Sequence, residues 1–205
     1  AWDESLTHEG NQWTMGDSVT FTGSGEMDNG MTISVSYELD GDAADTGNEF
    51  DSHSMTLDTN GMGTITFAGH GGSSAMSAID DVTPNAYEES WAVVTGGAGV
   101  AGAPTLVDGL SGNNMFTYKS PEVSGATLTV AYLNASDAIN DVSYMDFAIE
   151  AKPEMVEGLT IGFGMGETEA TTGTVIDDST MYAKYTYGSV TVGYQVSESD
   201  GPTSA

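Results

Sequence analysis

The sequence predicts an all-β protein, an up-and-down antiparallel meander of about ten strands of the kind that closes into a transmembrane β-barrel. Three observations predict it. Apolar and polar residues alternate with period two in segment after segment, the mark of strands with one apolar and one polar face. Consecutive segments are joined by turn signals, with no crossover evident. The connections also alternate: tight turns at 27–30, 60–62, 121–125, 152–158 and 188, longer acidic loops at 40–49, 70–113, 134–141, 167–178 and 197–205. Short turns at one rim and long loops at the other are the layout of an outer-membrane barrel.

The first strand rests on Val19, Phe21, Gly23 and Gly25, which alternate with Thr20, Thr22 and Ser24. The second, 31–39, sets Met31, Ile33, Val35, Tyr37 and Leu39 against Thr32, Ser34, Ser36 and Glu38. Asn29-Gly30 between them predicts a hairpin, because both positions of its turn need positive φ. The pattern repeats around Asn60-Gly61, with Met55 and Leu57 facing Ile65 and Phe67 across strands 50–59 and 63–69. After the long connection come 114–120 (Phe116, Tyr118) and 126–133 (Leu128, Val130, Tyr132), then 142–150 (Met145, Phe147, Ile149) and 159–165 (Leu159, Ile161, Phe163, Met165). The last pair is 179–187 (Met181, Ala183, Tyr185, Tyr187) and 189–196 (Val190, Val192, Tyr194, Val196), joined at Gly188. Most of these strands approach the ~9–11 residues that cross a bilayer with tilt. Tyr37, Tyr118, Tyr132 and Tyr187 fall near strand ends, where an aromatic girdle would put them.

A soluble acidic β-sandwich alternates in the same way. Consecutive hairpins, polar faces built of Ser, Thr, Asp, Glu and Lys, and the systematic loop asymmetry favour the barrel. One observable separates the two: whether the apolar strand faces point outward to lipid or inward to a packed core.

Charge narrows the function. The 205 residues hold 31 Asp plus Glu against 3 Lys plus Arg, a formal charge of −28. Nucleic acid and anionic membrane surfaces are excluded as partners, since each needs a basic surface and the chain has no Arg. With no cysteine, disulfides and thiolate metal sites are excluded too. Nor does any stretch suit a transmembrane helix, because the longest uncharged run, 90–107, is broken by Gly96, Gly97, Gly99, Gly102 and Pro104. Gly97, Gly99 and Gly102 do spell a dinucleotide fingerprint, but Pro104 denies it the helix whose amides would hold a pyrophosphate. Gly16-Asp17-Ser18 has the form of an esterase serine motif, yet His8, His53 and His70 lie in no triad context. Paired carboxylates at Asp80-Asp81 and Glu88-Glu89 lack the sugar-stacking surroundings of a glycosidase. Asp40, Asp42, Asp45 and Glu49 offer hard oxygen ligands for weak calcium binding; their spacing departs from the calcium loop pattern, so a solvated acidic loop is the competing reading. No other cofactor is indicated.

The stretch Phe67-Ala68-Gly69-His70-Gly71-Gly72-Ser73, through Ile79-Asp80-Asp81-Val82-Thr83-Pro84 to Tyr87-Glu88-Glu89-Ser90-Trp91, resembles the constriction loop of Gram-negative general porins of alphaproteobacterial type. Asp177-Asp178-Ser179-Thr180-Met181-Tyr182-Ala183-Lys184-Tyr185 with Gly188-Ser189-Val190-Thr191-Val192-Gly193-Tyr194 is similar to that family in hairpin style. The resemblance spans the whole chain as a single porin-like domain, 1–205, with 70–113 as its long third loop folded into the lumen. Porins of this kind have about sixteen strands. Four strands precede 70–113 where the family has five, and the family's closing strand with its aromatic end is absent, so the chain reads as a fragment.

The resemblance implies a passive diffusion channel in the bacterial outer membrane, with no enzymatic activity. It also implies a homotrimer in contact with membrane lipid and lipopolysaccharide. The sparse apolar face of 50–59 (His53, Met55, Leu57) and the glycines of 61–72 would mark the wall between subunits. Asp80, Asp81, Glu88 and Glu89 would supply negative charge at the constriction, opposed by only two lumen-facing lysines, Lys119 and Lys184. Such a pore favours cations and small hydrophilic solutes. The rival function is an acidic, calcium-dependent extracellular β-domain of surface-layer or adhesin type.

Overall fold

A computed structural model describes residues 18–39, 50–82, 107, 109–135, 142–170 and 173–201. Ten strands form one antiparallel sheet: β1 (Val19–Glu26), β2 (Thr32–Leu39), β3 (Phe50–Asp58), β4 (Thr64–Ala68), β7 (Met115–Lys119), β8 (Ala126–Leu133), β9 (Val142–Ala151), β10 (Leu159–Ala170), β11 (Val175–Tyr187) and β12 (Val190–Asp200). Their order in the sheet is their order in the chain, so the meander read from the sequence is the fold. Among the described residues β1 and β12 each have one neighbour, and the sheet is open between them. Two short strands, β5 (Gly72–Ser73) and β6 (Ser111–Gly112), pair separately and close the base of the long connection. A single 3-10 turn, Met76–Ala78, follows β5.

The hairpins follow their turn residues. At Asn60-Gly61 both residues take positive φ, 55° and 103°, as the sequence predicts. At Asn29-Gly30 only Gly30 does, at 80°. There the Met27 carbonyl accepts from the Gly30 amide at 2.9 Å and the Met31 carbonyl from the Met27 amide at 2.7 Å, a longer turn with glycine in the left-handed position. The Asn29 side chain caps it by accepting from the Met31 amide at 3.1 Å.

The largest departure from the sequence reading lies in the last three strands. Strand reaches into both acidic loops expected at 167–178 and 197–205: β10 runs to Ala170, β11 starts at Val175 and β12 continues to Asp200. Acidic residues suggested loop, but the ladder proceeds through Glu167↔Asp177 and Asp177↔Asp200. Backbone pairing satisfies the N–H and C=O groups that face a neighbouring strand whatever charge the side chains carry, and Thr168, Val175 and Ile176 fit a strand.

The two faces differ sharply. On one stand Phe21, Tyr37, Met55, Phe116, Met145 and Tyr194, all exposed, with Tyr194 72% accessible. The other carries Ser, Thr, Gly and scattered charges, and the segment after β5 packs against it. Buried apolar side chains gather between that segment and the polar face: Ala75, Met76 and Ile79 against Ala148 and Tyr182, and Met115, Ala131, Leu133 and Tyr144 beside Leu110. A sandwich would bury the other face. The apolar side of this sheet is its outside.

Candidate functional site

The site is the polar face together with the segment seated on it. Register sets its composition, since alternate residues of each strand share a face. Thus Asp146 of β9 pairs with Gly166 of β10, Ala148 with Gly164 and Glu150 with Gly162. Three inward glycines at alternate positions leave a trough, a place where another backbone can approach closely. A Cβ on Gly164 would sit 2.8 Å from Ile79 Cδ1 and 3.2 Å from Met76 Cγ. On Gly166 it would meet Met76 Sδ at 3.0 Å and the Tyr144 hydroxyl at 2.8 Å. The trough accommodates the loop.

Two side chains of the wall hold it there. Asp146, 2% exposed, accepts from the Ala75 amide through Oδ1 at 3.1 Å and from the Met76 amide through Oδ2 at 2.7 Å. Its Oδ2 also accepts from the Tyr144 hydroxyl at 3.0 Å. A buried carboxylate is costly unless its oxygens are filled, and here three donors fill them. Further along, Gln195 of β12 bonds to three backbone groups of the loop. Its Nε2 donates to the carbonyls of Ile79, at 3.0 Å, and Asp80, and its Oε1 accepts from the Val82 amide at 3.2 Å. The returning chain is tied to the outgoing one: Ser74 N–H donates to the Leu110 carbonyl, and Leu110 N–H to Ser74 Oγ, both at 3.0 Å.

Of the four acids expected at a constriction, two are described. Asp80 is half-buried, and its Oδ2 accepts from the Gly109 amide at 3.0 Å, bracing the loop. Asp81, next in the chain, is exposed. Glu88 and Glu89 lie outside the described residues, as do Asp40, Asp42, Asp45 and Glu49 of the calcium candidate. Both expected lysines occupy the polar face: Lys119 is in row with Thr64 and Thr129, Lys184 with Thr160 and Gly193. Lys152 lies in the turn after β9, as expected, but its Nζ reaches back to Glu150 Oε1 at 3.4 Å. Glu150 in turn accepts from the Tyr182 hydroxyl at 2.6 Å. Lys119, Lys152 and Glu150 line a concavity of about 270 Å³ whose other wall is Ala75 and Ile79 of the loop. The loop, Lys119 and Lys152 therefore share one cleft, which the sequence did not reveal.

Asp146, Gln195, Gly164 and Gly166 were also missed. The glycines carried a signal, because Gly162, Gly164 and Gly166 alternate with Ile161, Phe163 and Met165. Asp146 and Gln195 carried none beyond their inward parity. The outer face accounts for His53, whose ring stacks near Tyr37, centroids 6.4 Å apart, and covers Gly69.

Two mutant forms of the Rh. blastica porin are solved structures similar to this chain. One is 14% identical with a TM-score of 0.40, the other 15% identical with 0.38, each covering 89% of this chain and 74% of that porin. No curated protein matches the sequence. The family model for Gram-negative porins matches residues 3–205, the whole described sheet and the loop docked on it. The chain belongs to the Gram-negative porin family.

Proposed function

We propose that the chain forms the wall and constriction of a passive, water-filled channel of the bacterial outer membrane, without enzymatic activity. One observation carries the reading: the sheet exposes its apolar face and turns its polar face, loop attached, the other way. A water-soluble surface-layer domain gains nothing from such polarity, whereas a bilayer stabilises it. Membrane lipid and lipopolysaccharide would meet the apolar face; hydrophilic solutes would pass the polar one. Family membership supports a homotrimer, and His53 among the outer residues of β3 supports placing that strand against a neighbouring subunit. Loop 40–49 is proposed to bind calcium weakly through Asp40, Asp42, Asp45 and Glu49.

The channel is proposed to favour cations. Exposed Asp81, with Asp80 behind it, stands on the loop that shares a cleft with Lys119 and Lys152, and the formal charge of −28 leaves the lysines far outnumbered. Low-dielectric walls focus such fields on a passing ion. The test is the reversal potential of the full-length protein in a planar bilayer under a salt gradient. Asp80→Asn, Asp81→Asn, Glu88→Gln and Glu89→Gln together should lower the preference for cations. Their effect should shrink between 0.1 M and 1 M salt, as the Debye length falls from ~10 Å to ~3 Å. An unchanged potential would assign selectivity to the acidic mouth instead.

A further inference from the structure

Away from the docked loop, the polar face changes character. Among its inner positions on β1, β2 and β3, Thr22, Ser24, Ser34, Ser36, Ser54 and Thr56 line a concavity of about 430 Å³ together with Gly23 and Val35. Among the described residues no charged side chain lines it. The ladder continues the row across five strands: Ser24 pairs with Ser34, Ser34 with Thr56, Thr56 with Thr66 and Thr66 with Thr117. Thr56 and Thr66 hydroxyls lie 3.1 Å apart. Charge returns in the flanking rows, at Glu26, Asp58 and Lys119 on one side and Glu38 on the other.

We propose that this hydroxyl ladder is a transit surface for neutral, polyhydroxylated solutes, small sugars and polyols. Each Ser or Thr hydroxyl is one rotatable donor and two acceptors, the same set a sugar hydroxyl carries. A solute sliding along the row therefore exchanges one hydrogen bond for the next, or for water, with little net change at any step. Fixed charge offers no such exchange. It holds ions and their water, so the cleft of Lys119, Lys152 and the loop serves ions while the ladder serves neutral solutes. A purely structural polar wall needs only some polarity; it does not need hydroxyls at directly paired positions on five consecutive strands.

The inference rests on the channel reading, and one experiment separates them. The full-length protein is reconstituted in liposomes and planar bilayers, and glucose influx and KCl conductance are measured for the wild type, Thr56→Val/Thr66→Val/Thr117→Val, and Thr56→Ser/Thr66→Ser/Thr117→Ser. Valine suits a strand, and conductance reports that the variant has folded. The valine variant should lose about fivefold or more of its glucose influx relative to conductance, what the loss of one net hydrogen bond gives. The serine variant should keep the wild-type ratio. A glucose-to-conductance ratio equal in all three proteins overturns the ladder and leaves the channel standing. A wild type that passes neither glucose nor ions overturns both.

Discussion

Asp146 is the buried carboxylate of the site. Its carboxylate takes three hydrogen bonds from loop and wall, and two of them come from backbone amides that only a proline in the loop would remove. Asp146→Ala leaves those amides without their acceptor. Loop docking should weaken by about 2–4 kcal/mol, the range for losing charge-assisted bonds in a buried place. Faster proteolysis within 74–82, with the strands still protected, would report it; equal cleavage in both proteins would count against the latch. Gly164 makes the complementary case from space rather than charge. Gly164→Val places its side chain where Ile79 and Met76 now sit, so the loop should lift while strand pairing persists. Infrared β-content unchanged with loop cleavage accelerated is the expected pair of results. Neither residue stood out in the sequence. An aspartate in an alternating strand reads as one more solvated carboxylate, and only the fold shows that a chain seventy positions away fills its oxygens.

Strands were legible and their ends were not. Alternation fixes a strand wherever the two faces see different solvents, which is why Met31 to Leu39 or Leu159 to Met165 could be placed directly. Beyond the apolar band both faces are wet and the alternation fades, so the tops of β10, β11 and β12 read as acidic loop. The result is a row of like charges, Glu167, Asp177 and Asp200, paired directly across three strands. Directly opposed like charges cost ~0.2–1 kcal/mol per pair. Asp177→Thr removes the middle charge and both repulsions, and should raise thermal stability by a similar amount, with the gain disappearing in high salt. A gain that survives in high salt would point to strand propensity rather than charge. The long connection shows the same limit differently. Its length and place were evident, but the β5–β6 clasp rests on residues as plain as Gly72, Ser73, Ser111 and Gly112.

Taken whole, the molecule inverts the usual arrangement of a soluble domain, and this can be tested on both faces at once. An arginine at Phe163, on the apolar side, should cost ~2–4 kcal/mol of folding into lipid vesicles if that position lies near the bilayer midplane. The same residue at Thr66, on the polar side, should cost little, because water meets it there. Equal penalties would mean that the faces had been assigned wrongly. Alternation alone left the direction open, since a sandwich and a barrel share it; consecutive hairpins, polar strand faces and the loop asymmetry pointed to the barrel.

That inversion separates two kinds of apolar association within one chain. The outer face would rest against hydrocarbon, but Met76, Ile79, Met115 and Leu133 are buried from water, between loop and wall. Only the second is driven by expelling water, and that drive weakens on cooling. Loop and barrel should thus answer temperature in opposite ways: heat melts the ladder of strands, whereas cold loosens the loop first. A channel of this build would show its noisiest, least constricted currents near freezing, in a barrel that is still fully folded.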